Sequence, residues 1–157
     1  MKEIELKQTR SNIKLTALVD DDDYEELNKY KWHVNYKGYA KKGRRGESPA
    51  STMHAMIVSV PIGMECDHIN GDRRDNRRAN LRVCTSNENM MNKKVYKNNK
   101  TGYKGVNFQG GKFHASICLL GNKIHLGCFK TVEDAAKKYD EKAKELFGVF
   151  ARLNFRD

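Results

Sequence analysis

The chain has no apolar run that approaches membrane-spanning length, and its first residues, MKEIELKQTR, lack the apolar centre of a secretory signal. Neither membrane insertion nor export is expected. Cysteine is sparse and unpatterned. Cys66, Cys84, Cys118 and Cys128 form no CxxC pair, and their spacings do not resemble a zinc ribbon. They read as reduced thiols of a cytoplasmic protein, with a Cys118–Cys128 bridge across a hairpin as the alternative. Hydrophobic residues make up only 38% of the 157 positions. Any single core is therefore small, and the length fits one ordinary domain or two small ones.

Positive charge is abundant. The net charge is +10, and the basic excess is +2 over residues 1–51, +3 over 52–98 and +5 over 99–157. It grows along the chain without forming a basic tail. A spread excess of this kind fits a polyanion, with nucleic acid first, or a merely solvated basic surface.

Ile13, Leu15 and Ala17 alternate as in a short strand. The run DDDDYEEL, 20–27, reads as an Asp N-cap and an acidic first helical turn more readily than as a metal cluster. Trp32, Val34, Tyr36 and Tyr39 straddle Lys37-Gly38, the pattern of a hairpin. The basic loop KKGRRGESPAS, 41–51, is either a mobile extension or a phosphate contact. MHAMIVSV, 53–60, predicts a short helix or turn that packs Met56, Ile57 and Val60, with His54 as a structural residue. Pro61-Ile62-Gly63 signals a turn.

The stretch ECDHINGDRRDNRRANLRVCTSNEN, 65–89, concentrates chemistry. The carboxylate of Asp67 and the amide oxygen of Asn89 suit a hard divalent cation. His68 can accept a proton from water near neutral pH. Arg73, Arg74 and Arg77 suit the phosphates of DNA. Cys66–Ile69 and Leu81–Cys84 read as the strands of a hairpin, with Asn70-Gly71 in its loop. Thr85-Ser86-Asn87-Glu88 then matches a capping box. A hairpin packed on that helix would bring Asp67 and Asn89 to one point. NKKVYKNNKTG, 92–102, reads as a linker, with a domain boundary near Asn98.

Beyond it, YKGVNFQ, GKFHASICLL and NKIHLGCF predict an antiparallel meander of three strands. Phe113, Ala115, Ile117 and Leu119 alternate onto one face, and His114, Ser116 and Cys118 onto the other. Thr131-Val132-Glu133-Asp134 starts a helix, in which Val132, Ala135, Ala136, Tyr139, Ala143, Leu146 and Phe147 recur at helical spacing. Gly148 is its C-cap, and ARLNF is an extended tail over the core edge.

With these residues in place, 65–92 resembles the HNH nuclease motif of phage- and intron-encoded homing endonucleases. DHINGDRRDNRRANLRVCTSNEN carries the DH, DN, NLR and final Asn. LVDDDDYEELNKYKW, GYA and MHAMI resemble the same group's N-terminal region. The resemblance implies a ββα-metal fold, with His68 as general base and Asp67 and Asn89 as ligands of one Mg²⁺ or Mn²⁺. It makes Asn80 the amide that fixes the hairpin loop through backbone hydrogen bonds. Cleavage would leave 5′-phosphate and 3′-hydroxyl ends.

Residues 101–155 resemble the Apetala/ethylene-response-factor DNA-binding domain, through TGYKGV, GKFHASI, IHLGCF, VEDAAKKYD and ARLNF. The resemblance implies a sheet that reads the major groove and a helix that backs it. Lys104, Asn107, Gln109, Lys112, Ser116, Cys118, Lys123 and His125 fall at its DNA-facing positions. Asn107, Gln109, Cys118 and His125 depart from the arginines and tryptophans of that family, so its GC-rich preference does not carry over.

The expected architecture is α+β: an HNH nuclease domain over 1–98, then a three-stranded antiparallel sheet packed on one helix over 99–157. The expected activity is metal-dependent hydrolysis of double-stranded DNA, as a nick by a monomeric phage or mobile-element enzyme in the host cytoplasm, with a dimer as the alternative. A DNA-binding regulator with an inactive nuclease domain is the competing reading. An RNA-binding role would need exposed aromatic platforms, and the sheet's outer face shows mainly polar residues.

Overall fold

In the computed structural model, residues 1–7, 14–43 and 52–155 are described, and the chain divides into two compact units, Met1–Ser86 and Asn87–Asp157. Ile13 and positions 44–51 of the basic loop, both read from the sequence above, lie outside the described residues.

The first unit is built on a four-stranded sheet. Strand β1 (Lys2–Lys7) pairs antiparallel with β2 (Leu15–Val19). Helix α1 (Asp21–Leu27) follows. Strands β3 (Trp32–Val34) and β4 (Ala40–Lys42) form the hairpin expected around Lys37-Gly38, and β3 lies parallel to β1, giving the order β2-β1-β3-β4. The core gathers one face of each element: Ile4 and Leu6, Ala17 and Val19, Leu27, Trp32 and Ala40. Trp32 can be fully buried because its indole N–H donates to the Leu27 carbonyl at 2.8 Å. Helix α2 (Met53–Ile57) adds Met53 and Ile57, with Met56 and Val58 packed beside them.

Two local expectations change. Strand β1 had not been anticipated, although Ile4 and Leu6 alternate with charged residues. Asp20 occupies the N-cap position of α1, but its carboxylate makes no cap bond and accepts from the Arg78 backbone N–H at 2.7 Å instead. Asp23 likewise takes the Arg78 guanidinium at 2.6 Å. The acidic run is thus an anchor for the hairpin loop.

That hairpin is β5 (Glu65–His68) and β6 (Leu81–Cys84), paired with Asp67 opposite Arg82 and His68 opposite Leu81. A short 3-10 turn, Arg78–Asn80, leads into β6. The loop is stitched to β2 through backbone bonds from Leu18 N–H to the Arg74 carbonyl and from Asn76 N–H to the Leu18 carbonyl, both 2.8 Å.

The second unit opens on α3 (Ser86–Met91), which begins at the division. Strands β7 (Val106–Gln109), β8 (Lys112–Leu119) and β9 (Asn122–Phe129) form the expected antiparallel meander. Helix α4 (Val132–Phe147) starts at Thr131, whose hydroxyl accepts from Asp134 N–H, and ends at Gly148 with φ +50°. Ala135, Ala136 and Ala143 let it lie close on Ala115 and Ile117. The tail closes over this core. Buried Asp140 accepts from the backbone N–H groups of Asn154 and Phe155 and from the Asn154 amide, at 2.8–3.0 Å. These bonds offset the cost of burying a carboxylate.

Candidate functional site

The β5–β6 hairpin positions its loop with side-chain amides. Asn80, buried, accepts from Asn70 N–H at 2.9 Å and donates to the Asp75 carbonyl at 2.7 Å, bracing both sides of the loop. Asp75, also buried, takes the Arg77 guanidinium at 2.6 and 2.7 Å and the Asn70 amide at 2.8 Å. The Arg77 contacts, ahead of the others, hold the Asp75 carboxyl below the usual range. Asn76 has no exposed surface. Its amide N–H donates to the Arg74 carbonyl at 3.1 Å, which turns its oxygen toward His68 Nε2 at 3.4 Å.

This orientation selects a tautomer. With Asn76 Oδ1 as acceptor, Nε2 of His68 carries the proton and Nδ1 is the basic nitrogen. Burial pushes the His68 imidazole below its ordinary value, while Asn76 and the carboxylates of Asp67, Asp72 and Asp75 act the other way. The ring is therefore neutral at pH 7, the state a proton acceptor needs. Its neighbours are aromatic. Tyr39 lies 5.7 Å away and His54 5.3 Å away, centroid to centroid, and the Tyr39–His54 distance is 5.1 Å.

Asp67, 6% exposed, receives the Arg82 guanidinium on Oδ2 at 2.6 and 2.9 Å. The pair faces across the ladder, so strand register alone brings them together. Cys66 beside it stays a thiol, because burial pushes it up to about 11.

The remaining hairpin arginines are drawn into the protein's own contacts. Arg73 donates to the Lys37 carbonyl and stacks over Tyr39 at 4.8 Å. Arg74 lies 3.7 Å from Asp72, and Arg77 holds Asp75. Asn89 lies on α3 in the second unit and is half-buried.

In the second unit, ladder register puts Asn107, Gln109, Lys112, Ser116, Cys118, Lys123 and His125 on one face, opposite the buried Ala115 and Ile117. All but half-buried Ser116 are exposed. Lys104 lies outside the strands. It is half-buried and donates to the Met91 carbonyl, and burial, with Arg152 nearby, pushes its ammonium down to about 8.

Sequence reasoning passed over Asn76, Arg82, Tyr39 and the place of His54. Arg82 was findable, since a hairpin closed by the 69–80 loop sets it opposite Asp67. Nothing in MHAMI signals that its histidine stands against His68.

A family model described as HNH endonuclease matches residues 59–91. An uncharacterized HNH endonuclease of Acanthamoeba polyphaga mimivirus is 30% identical over 141 residues, covering 88% of this chain and 74% of that protein. Protein 3.8 of Escherichia phage T7 is 28% identical over 121 residues, 76% of this chain and 97% of its own length. The dehydration-responsive element-binding protein 2A of Arabidopsis thaliana is 39% identical over 69 residues, 42% of this chain and 21% of that protein. No solved structure matches. Among the described residues, no helix is long and apolar enough to cross a membrane.

Proposed function

Because the chain belongs to the HNH endonuclease family, we propose that it is a divalent-cation-dependent endonuclease that cuts double-stranded DNA at His68 and finds its site through the sheet of the second unit. The observation that carries this reading is the orientation of His68: a buried imidazole held through Nε2 by Asn76 in a loop braced by Asn80.

His68 Nδ1 takes a proton from the attacking water. The water oxygen bonds to phosphorus, the bond to the 3′ oxygen breaks, and that oxygen is reprotonated from solvent. The products are a 5′-phosphate and a 3′-hydroxyl. Asn80 keeps the loop closed and Asn76 keeps the ring in the productive tautomer. Arg82 compensates the buried charge of Asp67 and fixes its orientation.

The carboxylate of Asp67 on the hairpin is an oxygen donor of the kind that fits one Mg²⁺ or Mn²⁺. Bound there, such an ion would supply charge neutralisation for the phosphate under attack. One candidate active site per chain favours a nick unless the protein dimerises. The viral and phage relatives support a mobile-element or homing role on DNA in the host cell. On the sheet, Lys112 and Lys123 contact phosphate while Asn107 and Gln109 face base edges.

The test is supercoiled plasmid carrying the native flanking DNA, incubated with and without Mg²⁺. Metal-dependent nicking is expected from the wild type and a loss of at least about 10³-fold from His68→Ala, within the range a general base contributes. Absence of metal-dependent nicking by the wild type would sink the enzyme reading and leave a DNA-binding protein; equal nicking by His68→Ala would remove His68 as the general base.

A further inference from the structure

The outer face of the β7–β9 sheet gathers a second set of ligand-type side chains. His114, His125 and Cys128 each offer one ligand atom, and these atoms lie within 4.8 Å of one another. We propose that they form a Zn²⁺ site, with two imidazoles and a thiolate as ligands and a fourth position open to solvent or to a docking partner.

The fold assembles this set through a bulge. Along a regular strand, residues three apart point to opposite faces. In β9 the pairing of Ala115 with Gly127 is followed by that of Ser116 with His125, so Leu126 is an extra residue. The parity reverses there. Cys128 falls opposite His114, His125 falls opposite Ser116, and all three reactive side chains share the face away from α4. Gly127, at φ +132°, supplies the backbone conformation of the bulge, and a Cβ there would stand 3.2 Å from the Phe129 ring.

Cys128 Sγ is 3.2 Å from His114 Nδ1 and 3.7 Å from His125 Nε2. With Zn–N near 2.0 Å and Zn–S near 2.3 Å, donor atoms around a tetrahedral zinc lie roughly 3.3–3.6 Å apart. Both sulfur edges are close to that spacing. The outer nitrogen of His114, Nε2, faces the Gln109 carbonyl at 3.2 Å. Donating there leaves the Nδ1 lone pair directed at the sulfur, the arrangement that ligating histidines use to fix their tautomer. His125 and Cys128 are exposed and His114 is half-buried, so an ion can enter directly. Binding transfers the thiol proton to solvent. The thiolate selects a borderline metal over Mg²⁺, which separates this site chemically from the carboxylate of Asp67.

Titrating the full chain with Co²⁺ reads the site directly, since only a thiolate ligand produces sulfur-to-cobalt charge-transfer absorption. Displacement by Zn²⁺, in competition with a chromophoric chelator, then gives the affinity. The band is expected in the wild type, in Cys118→Ser and in His68→Ala. It should vanish in Cys128→Ser, and affinity should fall by about tenfold or more in His125→Ala. Circular dichroism of the two variants checks their fold. No band in the wild type, a band that survives Cys128→Ser, or unchanged affinity in His125→Ala would overturn the site.

Discussion

The His54 ring, edge-on to Tyr39 and His68, ties protonation to folding. In the unfolded chain it takes a proton near 6.5; in the fold, burial and then the neighbouring His68 push this down to about 4. Between those values the unfolded state binds more protons. The stability contributed is complete above pH 6.5 and is lost as pH falls toward 4, by up to roughly 3 kcal/mol. Urea melts across this window should show that loss, and His54→Leu should flatten it. A His54→Leu profile parallel to the wild type would mean that another group governs the acid limb. At this scale the sequence exposed the candidate site side chains and hid most of what surrounds them. Asp67, His68, Asn76 and Asn80 lie within one short motif, whereas Tyr39 and His54 reach His68 from separate segments of the chain.

At the scale of elements, Gly105 carries a sharper demand than its place in TGYKGV indicates. Its φ is +76°, and a Cβ there would lie 2.0 Å from the Tyr139 ring and 2.7 Å from the Ser116 carbonyl. Gly105→Ala should destabilise the second unit by about 2–4 kcal/mol, through overpacking and backbone strain together. Denaturant midpoints followed in that unit would test this, and a change below about 0.5 kcal/mol would contradict the close approach. Elements made by local rules were legible. The β5–β6 hairpin, the β7–β9 meander and α4 each follow from turn residues, alternation or caps within a short span. Elements that depend on distant partners were not. Strand β1 has only Ile4 and Leu6 to mark it, and its place comes from β2 on one side and a parallel β3 on the other. The bulge in β9 defeats alternation, so the neighbourhood of His125 and Cys128 could not be read from spacing.

For the whole molecule, net charge +10 makes DNA affinity a function of salt. Lys123, exposed on the sheet's outer face, is a suitable probe. Lys123→Ala should weaken binding to all sequences alike and reduce the slope of log K against log salt by about 1. An unchanged slope would remove Lys123 from the phosphate contacts. Substitution is a cleaner probe than truncation after residue 98. Met91 packs with Ile117, Tyr139 and Phe147, so such a cut would strip the cover from α3.

The stitching of the hairpin loop to Leu18 also bears on synthesis. A chain made from its N-terminus presents β2 long before Arg74 and Asn76 leave the ribosome. The groups that receive the loop already exist when the loop is made. A destabilised β2 should therefore delay the appearance of nuclease activity in newly made protein, even where the residues of the hairpin are untouched.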